Sequence, residues 1–197
     1  MGYLKLQIEK SIPYLLVAVP VYLLVRWLVL RKRNSKADLW RELWLLAGFC
    51  YLVVLLRVTV IPNWRILNMG DGTYRFFIGF GDPLPVNWIP FQTVWMYLRG
   101  DLPVNPGDVV MMSFANLVGN VLLLTPMGFL LPLLYDRMRS WNKTLLLGVT
   151  FSLTLEMVQY FLGRTADIDD VLLNSLGILL GYAAWRVVSF WQQKKKK

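Results

Sequence analysis

The chain of 197 residues has no histidine and one cysteine, Cys50. These shortages remove several chemistries at once. Neither a Ser–His nor a Cys–His dyad can form, and a His-ligated zinc site has no ligands. One thiol closes no intrachain disulfide, so cysteine usage carries no information about redox compartment. Charge is scarce too: Asp, Glu, Lys and Arg make up 17% of the chain, below the roughly one quarter usual in soluble proteins. Any chemistry must come from carboxylates, amides, Arg, Lys, Tyr or hydroxyls.

Apolar side chains fill the gap. The hydrophobic set is 56% of the residues and includes 9 Trp, 9 Tyr and 10 Phe. A soluble domain of this size cannot hide so much apolar surface, and a disordered chain would not carry it. The net charge is +9, from 21 Lys and Arg against 12 Asp and Glu. In so apolar a chain, basic residues mark cytoplasmic membrane loops. The expected partner is therefore the lipid bilayer and not nucleic acid.

A spanning helix needs about 20 mostly apolar residues. Five stretches meet or approach that length: residues 12–30, 43–61, 114–135, 144–162 and 171–188. The expectation is an all-α integral membrane protein, a single domain over residues 1–197 built as a bundle of five transmembrane helices. The first stretch does not read as a signal peptide. Its apolar run is long, Pro13 and Pro20 interrupt it, and its basic cluster follows it. A long extracytoplasmic loop, residues 62–113, joins helices 2 and 3. It opens rich in glycine and proline (Gly70, Gly72, Gly79, Gly81, Pro83, Pro85), and its residues 92–99 have an amphipathic pattern that predicts a short interfacial helix.

Loop charge sets the orientation. Arg31, Lys32, Arg33, Lys36 and Arg41 lie between the first two stretches; Arg137, Arg139 and Lys143 lie between the third and fourth; Lys194 to Lys197 end the chain. The long loop balances Arg65, Arg75 and Arg99 against Asp71, Asp82, Asp101 and Asp108, and residues 163–170 set Arg164 against Asp167, Asp169 and Asp170. The positive-inside rule then places the N-terminus outside and the C-terminus in the cytoplasm. Tryptophans agree with this: Trp27, Trp40, Trp44, Trp141, Trp185 and Trp191 fall at inner ends, and Trp64, Trp88 and Trp95 on the outer side.

Polar residues cluster at one depth. Ser152, Glu156, Gln159 and Gly163 are spaced 4, 3 and 4 apart and share one helix face, as do Asp170, Asn174, Gly177 and Gly181. Asn116 and Asn120 are one turn apart on the third stretch. Consecutive spans alternate direction, so the end of the fourth, the start of the fifth and the start of the third meet on one side. At about 1.5 Å per residue, Glu156 and Asn120 lie roughly 9 Å below the outer helix ends, and Arg57 roughly 6 Å. An ionised group deep in a bilayer costs roughly 2.5–3.5 kcal/mol or more unless paired or hydrated. Glu156 and Arg57 are thus expected to pair or to line a wet cavity. Bland readings compete. The asparagines serve equally as interhelical glue, Gly177 and Gly181 as a close-packing face, and Asp167 with its neighbours as the N-terminal cap of the fifth helix. Glu156 has the weakest bland reading, because intramembrane acids are functional by default.

These residues also carry a family resemblance. One block is Asn116-Leu117-Val118-Gly119-Asn120 with Pro126-Met127-Gly128-Phe129. The other is Glu156-Met157-Val158-Gln159, then Arg164, Asp167-Ile168-Asp169-Asp170, Asn174, Gly177 and Gly181-Tyr182. With Asn87-Trp88-Ile89-Pro90-Phe91, which looks like an Asn-x-x-Pro-Phe element, they make residues 43–185 resemble the VanZ-like family of bacterial membrane proteins. One departure is Leu124, where the family often carries Phe. The resemblance implies a bacterial cell-membrane protein associated with low-level resistance to teicoplanin, a lipoglycopeptide.

Two functions from different classes follow. In the first, a non-catalytic protein binds a lipid headgroup or the lipoglycopeptide in an outward pocket of Arg57, Asn116, Asn120, Glu156, Gln159, Arg164, Asp167, Asp169, Asp170 and Asn174, with no cofactor. In the second, a membrane enzyme acts on an extracytoplasmic lipid-linked headgroup. Glu156 would be its general acid/base, Arg164 would hold an anionic group, and Asp167, Asp169 and Asp170 would hold Mg²⁺ or Ca²⁺. A transporter is a third class; five helices without a repeat are few for it, and a homo-oligomer would supply more. The orientation is open to a direct test. In Cys50-free protein, a membrane-impermeant thiol reagent should label Gly100→Cys but not Ser140→Cys in intact cells. The opposite pattern would place the polar cluster in the cytoplasm.

Overall fold

The computed structural model describes residues 2–33, 38–61, 64–70, 73–78, 86–101 and 106–194. Several expectations lie outside them: loop positions Gly72, Gly79, Gly81, Pro83 and Pro85, the acids Asp71 and Asp82, Lys36, and the lysines after Lys194. In chain order the elements are α1 (Gly2–Arg33), α2 (Leu39–Thr59), β1 (Trp64–Asn68), β2 (Tyr74–Ile78), α3 (Gln92–Arg99), α4 (Pro106–Leu134), a 3-10 turn (Asp136–Met138), α5 (Trp141–Phe161) and α6 (Ile168–Lys194).

Five of these helices are long and apolar enough to cross a membrane, and they match the five expected spans: Glu9–Arg33, Leu39–Thr59, Asn116–Leu134, Trp141–Phe161 and Ile168–Lys194. The molecule is an all-α membrane bundle. Several helices run past their apolar stretches, since backbone hydrogen bonding continues beyond the hydrocarbon where nothing interrupts it. Pro106 opens α4 at a position where a missing N–H has no consequence. The short helix expected at 92–99 is α3. An antiparallel ribbon of β1 and β2, pairing Trp64 with Ile78 and Asn68 with Tyr74, is not among the elements expected from the sequence.

The core is small and sits where α2, α4, α5 and α6 meet. Leu55, Leu124 and Ile178 are buried, with Tyr51, Leu123, Met127 and Phe151 packed around them. The Tyr51 hydroxyl donates to the Leu123 carbonyl at 2.8 Å and so finds a partner inside the bundle. Trp185, expected in an interfacial belt, is only 6% exposed: it faces the bundle and not the membrane surface. Trp27, Trp40, Trp44, Trp88, Trp95, Trp141 and Trp191 are exposed.

Glycine brings α4 and α6 together. A Cβ on Gly177 would lie 1.9 Å from the Val121 carbonyl oxygen, and one on Gly181 2.0 Å from that of Thr125. Residues 177 and 181 face 121 and 125 in the same order, so the two helices run parallel, as alternating spans require. In return, Gly128 of α4 lies against the Ile178 backbone, where a Cβ would come within 2.1 Å of the carbonyl oxygen. The Ile178 side chain presses on Gly148 of α5. Lipid supplies no hydrophobic drive between helices, so such close van der Waals approach is what holds them.

Replacing Gly177 or Gly181 with leucine should therefore lower thermal stability and membrane abundance, by about 1–3 kcal/mol or more for overpacking against backbone that cannot move aside. Gly119, where an added Cβ meets nothing within 4 Å, should accept alanine without loss. Melting temperatures in detergent check this; unchanged melting of the leucine variants would remove the packing account.

Candidate functional site

The polar cluster forms at one end of the bundle, where α2 and α5 end, α6 begins and α4 enters its apolar span at Asn116. The α5–α6 connection is tight. Gly163, at φ 74°, takes the left-handed conformation that closes the helix, and the Arg164 N–H returns to the Gln159 carbonyl at 3.0 Å. This turn places Glu156, Gln159, Arg164 and the aspartates of α6 side by side.

Asp167 and Asp169 fasten the long loop across that end. Asn87 forms a parallel bridge with Asp167. Its N–H donates to the Ala166 carbonyl at 3.0 Å and its carbonyl accepts from the Ile168 N–H at 3.1 Å. The Asn87 amide also donates to Asp167 Oδ1 at 3.1 Å and to Thr93 Oγ1 at 2.9 Å, while the Thr93 hydroxyl donates to Asp167 Oδ2. Asp169, fully buried, accepts from the Phe91 N–H and, at 3.0 Å, from the Val94 N–H. These are N-terminal amides of α3, whose cap residue Phe91 (φ 66°) offers no side-chain acceptor. Asp169 thus caps α3 from 75 residues away. Asp167 caps its own helix as expected, accepting from the Asp169 N–H at 2.9 Å.

Glu156 is 8% exposed, and its Oε2 accepts from the Asp167 N–H at 3.0 Å. Gln159 and Arg164 serve another end: both donate to the Thr59 carbonyl, at 3.2 and 2.9 Å, and so satisfy the C-terminus of α2. Asn120 donates to Asp170, joining α4 to α6. Asn174 donates to Ser152 at 2.9 Å, and its own Oδ1 is buried without a hydrogen-bond partner. Asn116 is exposed one turn from Asn120. Arg57, 5% exposed, lies over the Tyr14 ring at 5.7 Å. The expected Arg57–Glu156 pair is not what forms; the cation acting on Glu156 is Arg164. The sequence spacing put Arg57 at the right depth, but depth alone does not fix which way a helix face turns.

Carboxyl groups crowd this end: Glu156, Asp167 and Asp169 lie close enough to act on Asp170, with Arg164 set against them. Tyr97 of α3 faces the same field. Its phenol is held above the usual range, chiefly by burial and then by the negative charge of Asp170 and Asp167, so it stays a neutral hydroxyl at physiological pH. Asp167, Asp169 and Asp170 are not gathered as a metal site: among the described residues no three Asp, Glu, His or Cys side chains are arranged to hold an ion. The carboxylates of Asp167 and Asp169 face the loop's donors instead.

Thr59, Thr93 and Tyr97 belong to this network and were not singled out by sequence reasoning. Thr93 and Tyr97 lie four apart, on one face of α3, which is the only local signal for them. Thr59 contributes through its carbonyl, which no side-chain pattern reveals.

Fold and cluster together define a multi-pass helical membrane protein whose polar residues are gathered at one end and strapped by a loop. The chain belongs to the VanZ/LLP1 family, whose profile matches residues 43–189, and is in that sense a VanZ-like protein. Comparison with curated proteins and with solved structures finds no significant match.

Asp169→Ala leaves the Phe91 and Val94 amides without their acceptor, a loss of about 1–2 kcal/mol for a helix cap. Hydrogen exchange in residues 91–99 should accelerate while the amides of α4 and α6 stay protected. Unchanged protection of α3 would show that the strap does not depend on this carboxylate.

Proposed function

We propose that the chain is an envelope protein of the bacterial cell membrane, N-terminus outside and C-terminus cytoplasmic. Its outward polar end binds a lipid headgroup or a lipoglycopeptide and so contributes to low-level teicoplanin resistance. The observation that carries this reading is the buried Glu156 within the electrostatic reach of the exposed Arg164, at the bundle end where α3 is strapped. Arg164 has one N–H engaged with Thr59, and a guanidinium carries further donors for a carboxylate or phosphate of the ligand. Teicoplanin carries an acyl chain, so a site at the membrane surface can hold its polar part while the chain enters lipid. α3 exposes Trp95 and Leu98, which suits a helix lying in the outer interface. Capture there would lower the drug's access to its cell-wall target. The enzymatic alternative keeps the same two residues, Glu156 as acid/base and Arg164 as anion holder, and differs in requiring a product.

Glu156→Gln keeps the shape and an oxygen acceptor for the Asp167 N–H while removing the charge. It should bring teicoplanin resistance in a sensitive host down to the level of cells lacking the protein, at equal membrane abundance. Arg164→Lys should also be impaired, since an ammonium cannot reproduce a bidentate fork. Full resistance in both variants would reduce the cluster to helix glue and caps.

A further inference from the structure

The opposite end of the bundle holds a cavity of about 420 Å³ where α1, α2 and the end of α4 meet. Its charged lining is Arg26, Arg33 and Arg41 with Asp38 and Glu42. Two of the five charges cancel: Arg26 grips Glu42 through both carboxylate oxygens, at 2.6 Å each, which also ties α1 to α2. Asp38 is turned to its own helix, where it accepts from the Trp40 N–H at 3.1 Å. Arg33 and Arg41 are exposed and form no ion pair among the described residues. Three arginines against two carboxylates leave one positive charge. The rest of the wall is mainly apolar, from Val29, Leu30 and Leu45. A single positive charge above aliphatic side chains, at the ends of membrane-spanning helices, matches a singly charged phosphate that carries acyl chains.

We propose that this cavity binds the phosphodiester headgroup of an anionic phospholipid, with Arg33 and Arg41 on the phosphate and the upper acyl methylenes against Val29, Leu30 and Leu45. The site is separate from the polar cluster at the other end and does not rest on the reading of that cluster. Bidentate guanidinium–phosphate contacts favour arginine over lysine here, and both available arginines stand at the C-terminal end of α1 and the first turn of α2. The Arg26–Glu42 pair keeps the two helices at a fixed separation, so the cavity does not need the lipid in order to form.

The test is thermal unfolding of the full chain in neutral detergent, with native mass spectrometry of bound lipid. Phosphatidylglycerol should raise the melting temperature and be retained; phosphatidylcholine of the same chain length should do neither. The double variant Arg33→Gln/Arg41→Gln leaves Arg26–Glu42 in place and should bind phosphatidylglycerol about tenfold more weakly or worse. Arg41→Gln alone should fall between it and the unchanged protein. Arg139→Gln, at a different basic position, should bind as before. Three results would each overturn the proposal: equal stabilisation by phosphatidylcholine, equal stabilisation by inorganic phosphate alone, or phosphatidylglycerol retained by the double variant as by the unchanged protein.

Discussion

Side chains separate most packed helices by 8–10 Å, yet α4 and α6 meet backbone to backbone. Gly177 and Gly181 on one helix and Gly128 on the other leave no room for a Cβ between them. That approach sets the rest of the polar end. It carries the start of α6 beside α4, so that Asn120 reaches Asp170. It drives Ile178 between α4 and α5, where Gly148 receives it and Leu55 and Leu124 complete the core. A wider separation would leave Asp170 facing lipid without its amide partner, a costly position for a carboxylate.

The same surroundings explain why the polar residues are so heavily connected. Groups buried at membrane depth have little water to turn to, so most find partners in the protein, Asn174 Oδ1 being the exception among the described residues. The last carbonyl of α2 takes donors from Gln159 and Arg164, the first amides of α3 take Asp169, and Glu156 holds the first amide of the α6 cap. The loop between α2 and α4 is thereby anchored at Asn87 and α3, while its β1–β2 ribbon lies earlier in the chain.

Much of this was readable in the chain. The five spans were legible because a bilayer demands long apolar runs, and such runs are local properties of sequence. The meeting of Asn116, Asn120, Glu156 and Asp170 at one end followed from alternating direction alone. Gly177 and Gly181 were legible as a packing face because small residues four apart admit a neighbouring helix. The β-ribbon escaped because its signal is short and sits among glycines, and the Arg26–Glu42 pair because it spans two helices.

By itself the sequence determined that this is a helical membrane protein, where its spans lie and which polar residues share an end, since hydropathy and helical period act along the chain. Only the tertiary structure decided partners. Asp169, an acid in the first turn of α6, reaches out to cap α3; Arg57 lies over the Tyr14 ring, and the cation that acts on Glu156 is Arg164. The reason is rotational. A helix sequence fixes the depth and face of each residue, but which helix that face meets depends on how the whole bundle packs.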